Sequence, residues 1–205
     1  MRFKPQKPVW IVGIDEVGRG PLSGHVFVSG CAIKESDYRK IIWTGLNDSK
    51  KMTVMSREKW FDIAKKMENK KIVKISISSR SAKFIDLKGI NKSIMLCIED
   101  IFFDLNLNPK KCQIFLDGGL SAPNIYPNQK TIIKGDQKKK IISLASVVAK
   151  VSRDKIMIKI SKKYPNYFWE KNKGYGTKDH INAIKKYGIT KEHRKTYLSR
   201  IIDKN

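Results

Sequence analysis

A chain of 205 residues can bury one sizeable core, and a formal charge of +24 makes a polyanion the first expected partner, nucleic acid before an anionic membrane. No stretch reaches the roughly 20 apolar residues of a membrane span. Met1-Arg2-Phe3-Lys4 leads into proline without a signal-peptide core, so a soluble, cytoplasmic protein is expected. Only 8 of the 43 basic residues are arginine, a lysine bias that genome composition also produces, so charge alone does not fix the function.

Residues 9–16 read as a first strand and Gly24 to Ile33 as a second, an antiparallel hairpin joined by a glycine-rich loop. The first strand closes on two adjacent carboxylates, Asp15 and Glu16. Alternation puts Asp15 on the face of Ile11 and Gly13 and Glu16 on the opposite face, so both reach one site only where the pleat relaxes at the strand's end. Two acids at the mouth of a buried strand repel each other and lose water unless a cation sits between them, and a divalent metal is the simplest such cation. Gly18 and Gly20 let a ligand approach bare main chain, and Arg19 adds positive charge. The alternative is that the two acids open a turn and Arg19 pairs with one of them.

A polar connection, Gly45 to Thr53, contains Ser49, Lys50 and Lys51, which either form a solvated loop or meet phosphates. A helix follows from about Ser56 to Met67 with Ser56 as N-cap, then a strand from Lys71 to Ser79. A second helix, about Asn91 to Asp104, carries Ile94, Met95, Ile98, Ile101 and Phe102 as a core stripe. Cys31, Cys97 and Cys112 lack metal-ligand spacing and read as reduced core thiols.

Cys112 to Leu116 repeats the opening theme, a strand that ends in Asp117 before two glycines. Open α/β sheets place ligand sites at such strand ends, although Asp117 also suits a turn with Gly118. Thr131 to Gly135 reads as a short strand ending in a third aspartate, Asp136. The segment Ile141 to Val151 is apolar all round with small residues at 143, 145, 146 and 149, a helix pressed against the sheet. Asp136 either joins the ligand edge or caps this helix. Asp154 reads as half of a helix-surface ion pair.

Beyond Ser161, aromatics are interleaved with lysines. Tyr164, Phe168 and Trp169 read as core of a small helical lobe, whereas glycines on both sides leave the ring of Tyr175 accessible for stacking.

Asp15, Glu16, Asp117 and Asp136 form an all-oxygen set, which suits Mg2+ or Mn2+ rather than zinc. Two such ions can activate water and stabilise the leaving oxygen of a phosphodiester. The rivals are another two-metal nuclease on the same fold, and a non-catalytic basic binder in which the acids are caps and turns.

Six motifs in order make the chain similar to bacterial ribonuclease HII. They are the run Gly13 to Gly24; Asp48-Ser49-Lys50-Lys51; Leu116-Asp117-Gly118; Lys134-Gly135-Asp136; Ser143 to Asp154; and Gly174-Tyr175-Gly176-Thr177-Lys178-Asp179-His180. The resemblance spans about residues 9–197. It implies an α/β, ribonuclease H-like mixed β-sheet flanked by helices. The catalytic domain would be residues 1–160, with a C-terminal helical substrate-binding lobe at 161–205. It implies a metal-dependent endonuclease that cuts the RNA strand of RNA–DNA hybrids and also duplex DNA 5′ to single ribonucleotides. Its products carry a 3′-hydroxyl and a 5′-phosphate, in ribonucleotide removal and RNA primer removal. Asp15, Glu16, Asp117 and Asp136 resemble the catalytic, metal-holding carboxylates. Gly18, Arg19 and Gly20 resemble the reader of the 2′-hydroxyl, Tyr175 the residue that stacks on the next deoxyribose, and Ser49 and Lys50 a segment near the phosphates. Leu144 and Gly89 depart from the family pattern. A monomer is expected, and a replication clamp is a candidate docking partner.

Overall fold

The computed structural model describes residues 8–202, so the reading of Met1 to Lys4 falls outside it. Five strands, β1 (Trp10–Val17), β2 (Val26–Lys34), β3 (Val73–Arg80), β4 (Cys112–Asp117) and β5 (Gln129–Ile132), form one sheet in the order β3-β2-β1-β4-β5. β1 and β2 make the expected antiparallel hairpin, with Val17 opposite Phe27, and β3 extends it as a third antiparallel strand, whereas β4 lies parallel to β1 and β5 parallel to β4. Parallel neighbours need a long crossover. Between β3 and β4 it is supplied by α3 (Ala82–Lys88) and α4 (Ile90–Leu105).

Alternation along β1 divides the core into two layers. Val12 and Ile14 pack with Val28, Ile98 and Ile101 on the α4 face. Ile11 and Phe115 pack on the other face, which is covered by α2 (Val54–Asn69) and α6 (Lys140–Ser161). Each fully buried aliphatic side chain contributes about 1.5–3 kcal/mol to such a core. Gly13 marks where α6 crosses β1: a β-carbon there would stand 2.3 Å from the carbonyl oxygen of Ile141. Ser143, Ala145, Ser146 and Ala149 are all buried, and Ser29 Oγ donates to the Ala145 carbonyl at 2.7 Å, so the small-residue helix lies against the sheet as its composition indicates.

Several boundaries differ from the sequence reading. α2 is capped by Thr53, whose side chain accepts the Ser56 amide at 3.1 Å; Ser56 is the donor, not the cap. Met95 is exposed because its edge of the α4 stripe lines an open pocket with Arg19 and Asn91. β5 stops at Ile132, the partner of Asp117, and Lys134 turns left-handed at φ 54°. That bend puts Asp136 on a one-turn helix, α5 (Gly135–Lys138), rather than at a strand end. Asp136 does not cap α6 either, since Lys139 is its N-cap residue.

The remaining helices are α1 (Glu35–Tyr38), α7 (Trp169–Asn172), α8 (Lys178–Tyr187) and α9 (Lys195–Ile202). Met157 at the end of α6 joins Tyr167, Trp169, Ala183, Ile184 and Leu198 in a core of their own. Trp169 is fully buried and Tyr164 packs at the edge of that core. Phe168 is exposed instead, because its left-handed backbone, φ 55°, turns the next residue inward and its own ring outward. Asp154 pairs with Lys150 at 2.8 Å, and all three cysteines are buried free thiols, both as expected.

Candidate active site

β1 and β4 run in parallel register as far as the pair Ile14–Leu116, so Asp15 and Asp117, one residue further on, stand side by side where that pairing stops, while β1 itself continues past the acids to Val17 against β2, beyond the end at residue 16 read from the sequence. Asp15 is buried on the α6 face, and its carboxyl is held well above the usual range by burial first and then by the charges of Glu16 and Asp117. The opposing pull comes from Ser146 of α6, which hydrogen-bonds the carboxylate, and from the Glu16 amide at 2.7 Å. Glu16 faces the other way, toward α4. Burial raises its carboxyl too, Asp117 adds to the rise, and the guanidinium of Arg19 at 3.1 Å counteracts it.

Asp117 accepts the Gly135 amide at 2.6 Å, which draws the start of α5 onto the end of β4. Asp136, one residue into that helix, is pushed up to about 6 by burial, then by its hydrogen bond and charge interaction with Asp48, and by the charge of Asp117. Asp48 works in the opposite sense. Burial would raise it, yet the bonds it accepts from the Lys50 amide at 2.8 Å, from Asp136 and from Gln137 at 3.2 Å take it below the usual carboxylate range. Of the two, Asp136 is therefore the one that takes up a proton more readily.

The four expected acids share one edge of the sheet, and each interacts electrostatically with Asp117 or is Asp117 itself. Among the described residues no three carboxylate, histidine or cysteine groups stand close enough to cage a cation by themselves. A magnesium-like ion does not need such a cage, since it takes one or two carboxylates and completes its shell with substrate phosphate and water. The donor set, oxygen only and made costly by mutual repulsion, fits a hard divalent cation.

Of the other expected residues, Arg19 spans Glu16 and the side-chain oxygen of Asn91 on α4, so the ion pair raised by the turn reading does form, within the acid cluster. Gly18 and Gly20 flank it; a β-carbon on Gly20 would meet nothing within 4 Å. Ser49 is buried with its hydroxyl 2.8 Å from that of Ser146, while Lys50 is exposed, its charge acting on Asp48 and Asp136. Tyr175 keeps 43% of its surface exposed, its carbonyl accepts His180 Nδ1 at 2.8 Å, and the guanidinium of Arg153 lies 5.8 Å from its ring centre.

Asp48, Ser146 and Asn91 belong to this constellation; the sequence reading placed the first two within its motifs but gave none of the three a role. The signals for the first two were present: a serine on an otherwise apolar buried helix needs a partner, and an aspartate two residues before an exposed lysine can hold that lysine's amide.

Helices on both faces of a mixed sheet, with carboxylates closing two parallel neighbours, define the ribonuclease H-like class of fold. The chain belongs to the ribonuclease HII family, whose sequence profile matches residues 12–201. Ribonuclease HII of Caldicellulosiruptor bescii is 42% identical over 193 residues, 94% of this chain and 88% of that protein. The crystal structure of ribonuclease H2 from Pyrococcus horikoshii superposes with a TM-score of 0.72 at 26% identity, covering 96% of this chain and 100% of the other. The ribonuclease HII in a PCNA complex from Archaeoglobus fulgidus gives 0.72 at 24% identity, over 90% and 93%, a likeness of fold. Membership makes the chain a nuclease of the ribonuclease H type, a hydrolase that works within the RNA strand of RNA–DNA hybrids and depends on a divalent metal.

Proposed function

We propose that the chain also cuts duplex DNA on the 5′ side of single embedded ribonucleotides, by a two-metal-ion mechanism in which Asp15, Glu16, Asp117 and Asp136 hold the ions. The observation that carries this reading is that Asp15 and Asp117 stand side by side where the pairing of β1 with β4 stops, with the loop at Gly18 to Gly20 following the end of β1 directly. A bound divalent ion supplies Lewis-acid stabilisation of the charge that develops on the phosphodiester. The chain's own part is positioning. Ser146 holds the Asp15 carboxylate from α6, the Gly135 amide fixes Asp117, and Asp48 steadies both Asp136 and the amide of Lys50. Ser49 and Lys50 present the loop that meets substrate phosphates, Gly18, Arg19 and Gly20 meet the ribose, and Tyr175 offers an exposed ring to the following deoxyribose. The lysine-rich surface grips the duplex with little regard to sequence. Attack of water on the phosphorus with the 3′-oxygen leaving breaks the P–O3′ bond and gives a 3′-hydroxyl and a 5′-phosphate.

The division at residue 160 into a catalytic part and a substrate-binding lobe is supported by the separate core around Trp169. Magnesium and manganese both suit the oxygen donors. Among the described residues no helix is long and apolar enough to cross a membrane. The cytoplasm, a monomeric state, and service in ribonucleotide and primer removal complete the proposal.

The test is cleavage of a duplex holding one ribonucleotide, with magnesium present and with it chelated, beside an all-DNA duplex. Metal-dependent cutting at the ribonucleotide alone is expected. Cutting of the all-DNA duplex would overturn the assignment of a ribose reader, and no cutting in any condition would overturn the nuclease.

A further inference from the structure

Two arginines are fully buried, Arg153 on α6 and Arg194 at the entry to α9, and among the described residues neither forms a salt bridge. Burying a guanidinium without a counter-charge is costly unless its donors find acceptors. Here the acceptors are the carbonyls of one loop. Arg194 donates to Gly18 O at 2.6 Å, to Arg19 O at 3.0 Å and to Gly24 O at 2.9 and 3.0 Å. Arg153 donates to His25 O at 3.0 Å and Ser23 O at 3.3 Å, while its Nη1 is buried without a hydrogen-bond partner. Its Nε also fills the place that a β-carbon on Gly18 would need, 2.3 Å away, at a backbone φ of 90°.

In a trans peptide the C=O and the following N–H point in opposite directions. Carbonyls of Gly18 and Arg19 pulled inward by Arg194 therefore turn the amides of Arg19 and Gly20 outward, above a residue with open space around it. A planar fork is suited to holding carbonyls this way, which a lysine ammonium at the same charge is not.

We propose that Arg153 and Arg194 are positioning residues that set ribose preference: gripping the loop carbonyls from beneath, they fix the amides of Arg19 and Gly20 as donors to the 2′-oxygen. This rests on the assignment of Gly18, Arg19 and Gly20 as the ribose reader. Arg153 extends the device, because the same guanidinium lies under the ring of Tyr175.

The experiment compares wild type, Arg194→Lys and Arg153→Lys on two duplexes identical except at one sugar, ribose in one and 2′-fluoro-2′-deoxyribose in the other. Wild type is expected to prefer ribose strongly. Arg194→Lys should lower that preference at least tenfold, mainly through kcat on the ribose substrate, with affinity for all-DNA duplex within threefold of wild type. Arg153→Lys should lower it at least threefold and carries the test if Arg194→Lys does not fold. Equal slowing on both duplexes, or a lowered Tm with the preference intact, would show that the arginines only stabilise the fold and overturn the proposal. Absence of preference in wild type would overturn the ribose reader itself, and this proposal with it.

Discussion

The hydroxyls of Ser49 and Ser146 meet at 2.8 Å across 97 residues of sequence, and Ser146 also favours the charged carboxylate of Asp15. One small side chain on α6 thus links the first acid of the cluster to the loop that presents Lys50. Ser146→Ala should lower kcat roughly twofold to tenfold, the weight of one hydrogen bond of about 0.5–1.5 kcal/mol, with KM less affected. Steady-state kinetics on a single-ribonucleotide duplex decides it; an unchanged kcat would mean that Asp15 and Ser49 are held elsewhere.

Asp117→Asn should abolish cleavage while hybrid binding stays close to wild type, since in the proposed mechanism a ligand for the metal is lost and the lysines remain. Cleavage and binding measured side by side test this. Activity surviving within tenfold would reduce Asp117 to a turn residue.

Tyr175→Ala should impair cutting at an isolated ribonucleotide more than cutting of a long hybrid, because its ring is half-exposed and, in the proposed function, stacks on the sugar after the junction. Stacking contributes about 1–3 kcal/mol per base in comparable settings. Equal losses on both substrates would make the ring a structural element.

Gly13→Ala should destabilise the fold by about 1–3 kcal/mol, since its methyl collides with the Ile141 carbonyl and α6 must move off the sheet. For a chain of this length each kcal/mol shifts Tm by about 2–4 °C. Gly119→Ala, where nothing lies within 4 Å of the new methyl, is the control and should leave Tm in place. Equal melting of both variants would show that α6 does not depend on the bare backbone.

The buried pair His180 and His193 sets a pH limit. Trp169 Nε1 donates to His180 Nε2 at 3.0 Å and the Thr190 amide donates to His193 Nδ1 at 2.9 Å, so both rings serve as acceptors and are neutral. Burial, followed by the neighbouring His180, lowers His193 to about 4 from 6.5. Between those values the unfolded chain binds the proton that the folded one excludes, so stability rises with pH. The contribution is complete above about 6.5 and is lost as pH falls toward 4. Thermal melts across that range should steepen for wild type relative to His193→Gln; parallel curves would remove the histidine from the account.

The strand ends were legible because an acid after an apolar run is an energetic oddity that local sequence exposes. Asp15, Glu16 and Asp117 were found that way and do share an edge. Asp136 was found as an acid but misplaced, because Thr131 to Ile133 has strand composition while pairing with β4 ends at Ile132, and only the left-handed Lys134 turns the chain into α5. Phe168 and Trp169 are equally apolar, and backbone handedness rather than composition decided which ring went inward. Arg153 and Arg194 were invisible for a different reason. In a chain with 43 basic residues an arginine reads as solvated surface, and its burial depends on carbonyls brought close only by tertiary folding.

The loop after β1 leans on residues far down the chain: Leu22 N bonds Gly174 O at 2.8 Å, Gly24 N bonds Glu192 O at 2.8 Å, and Ser23 bridges to His193. All four acids are synthesised before these props. A nascent polypeptide halted between residues 137 and 173 carries every carboxylate but lacks the main-chain partners of the loop beside them, so competence waits until synthesis is nearly finished.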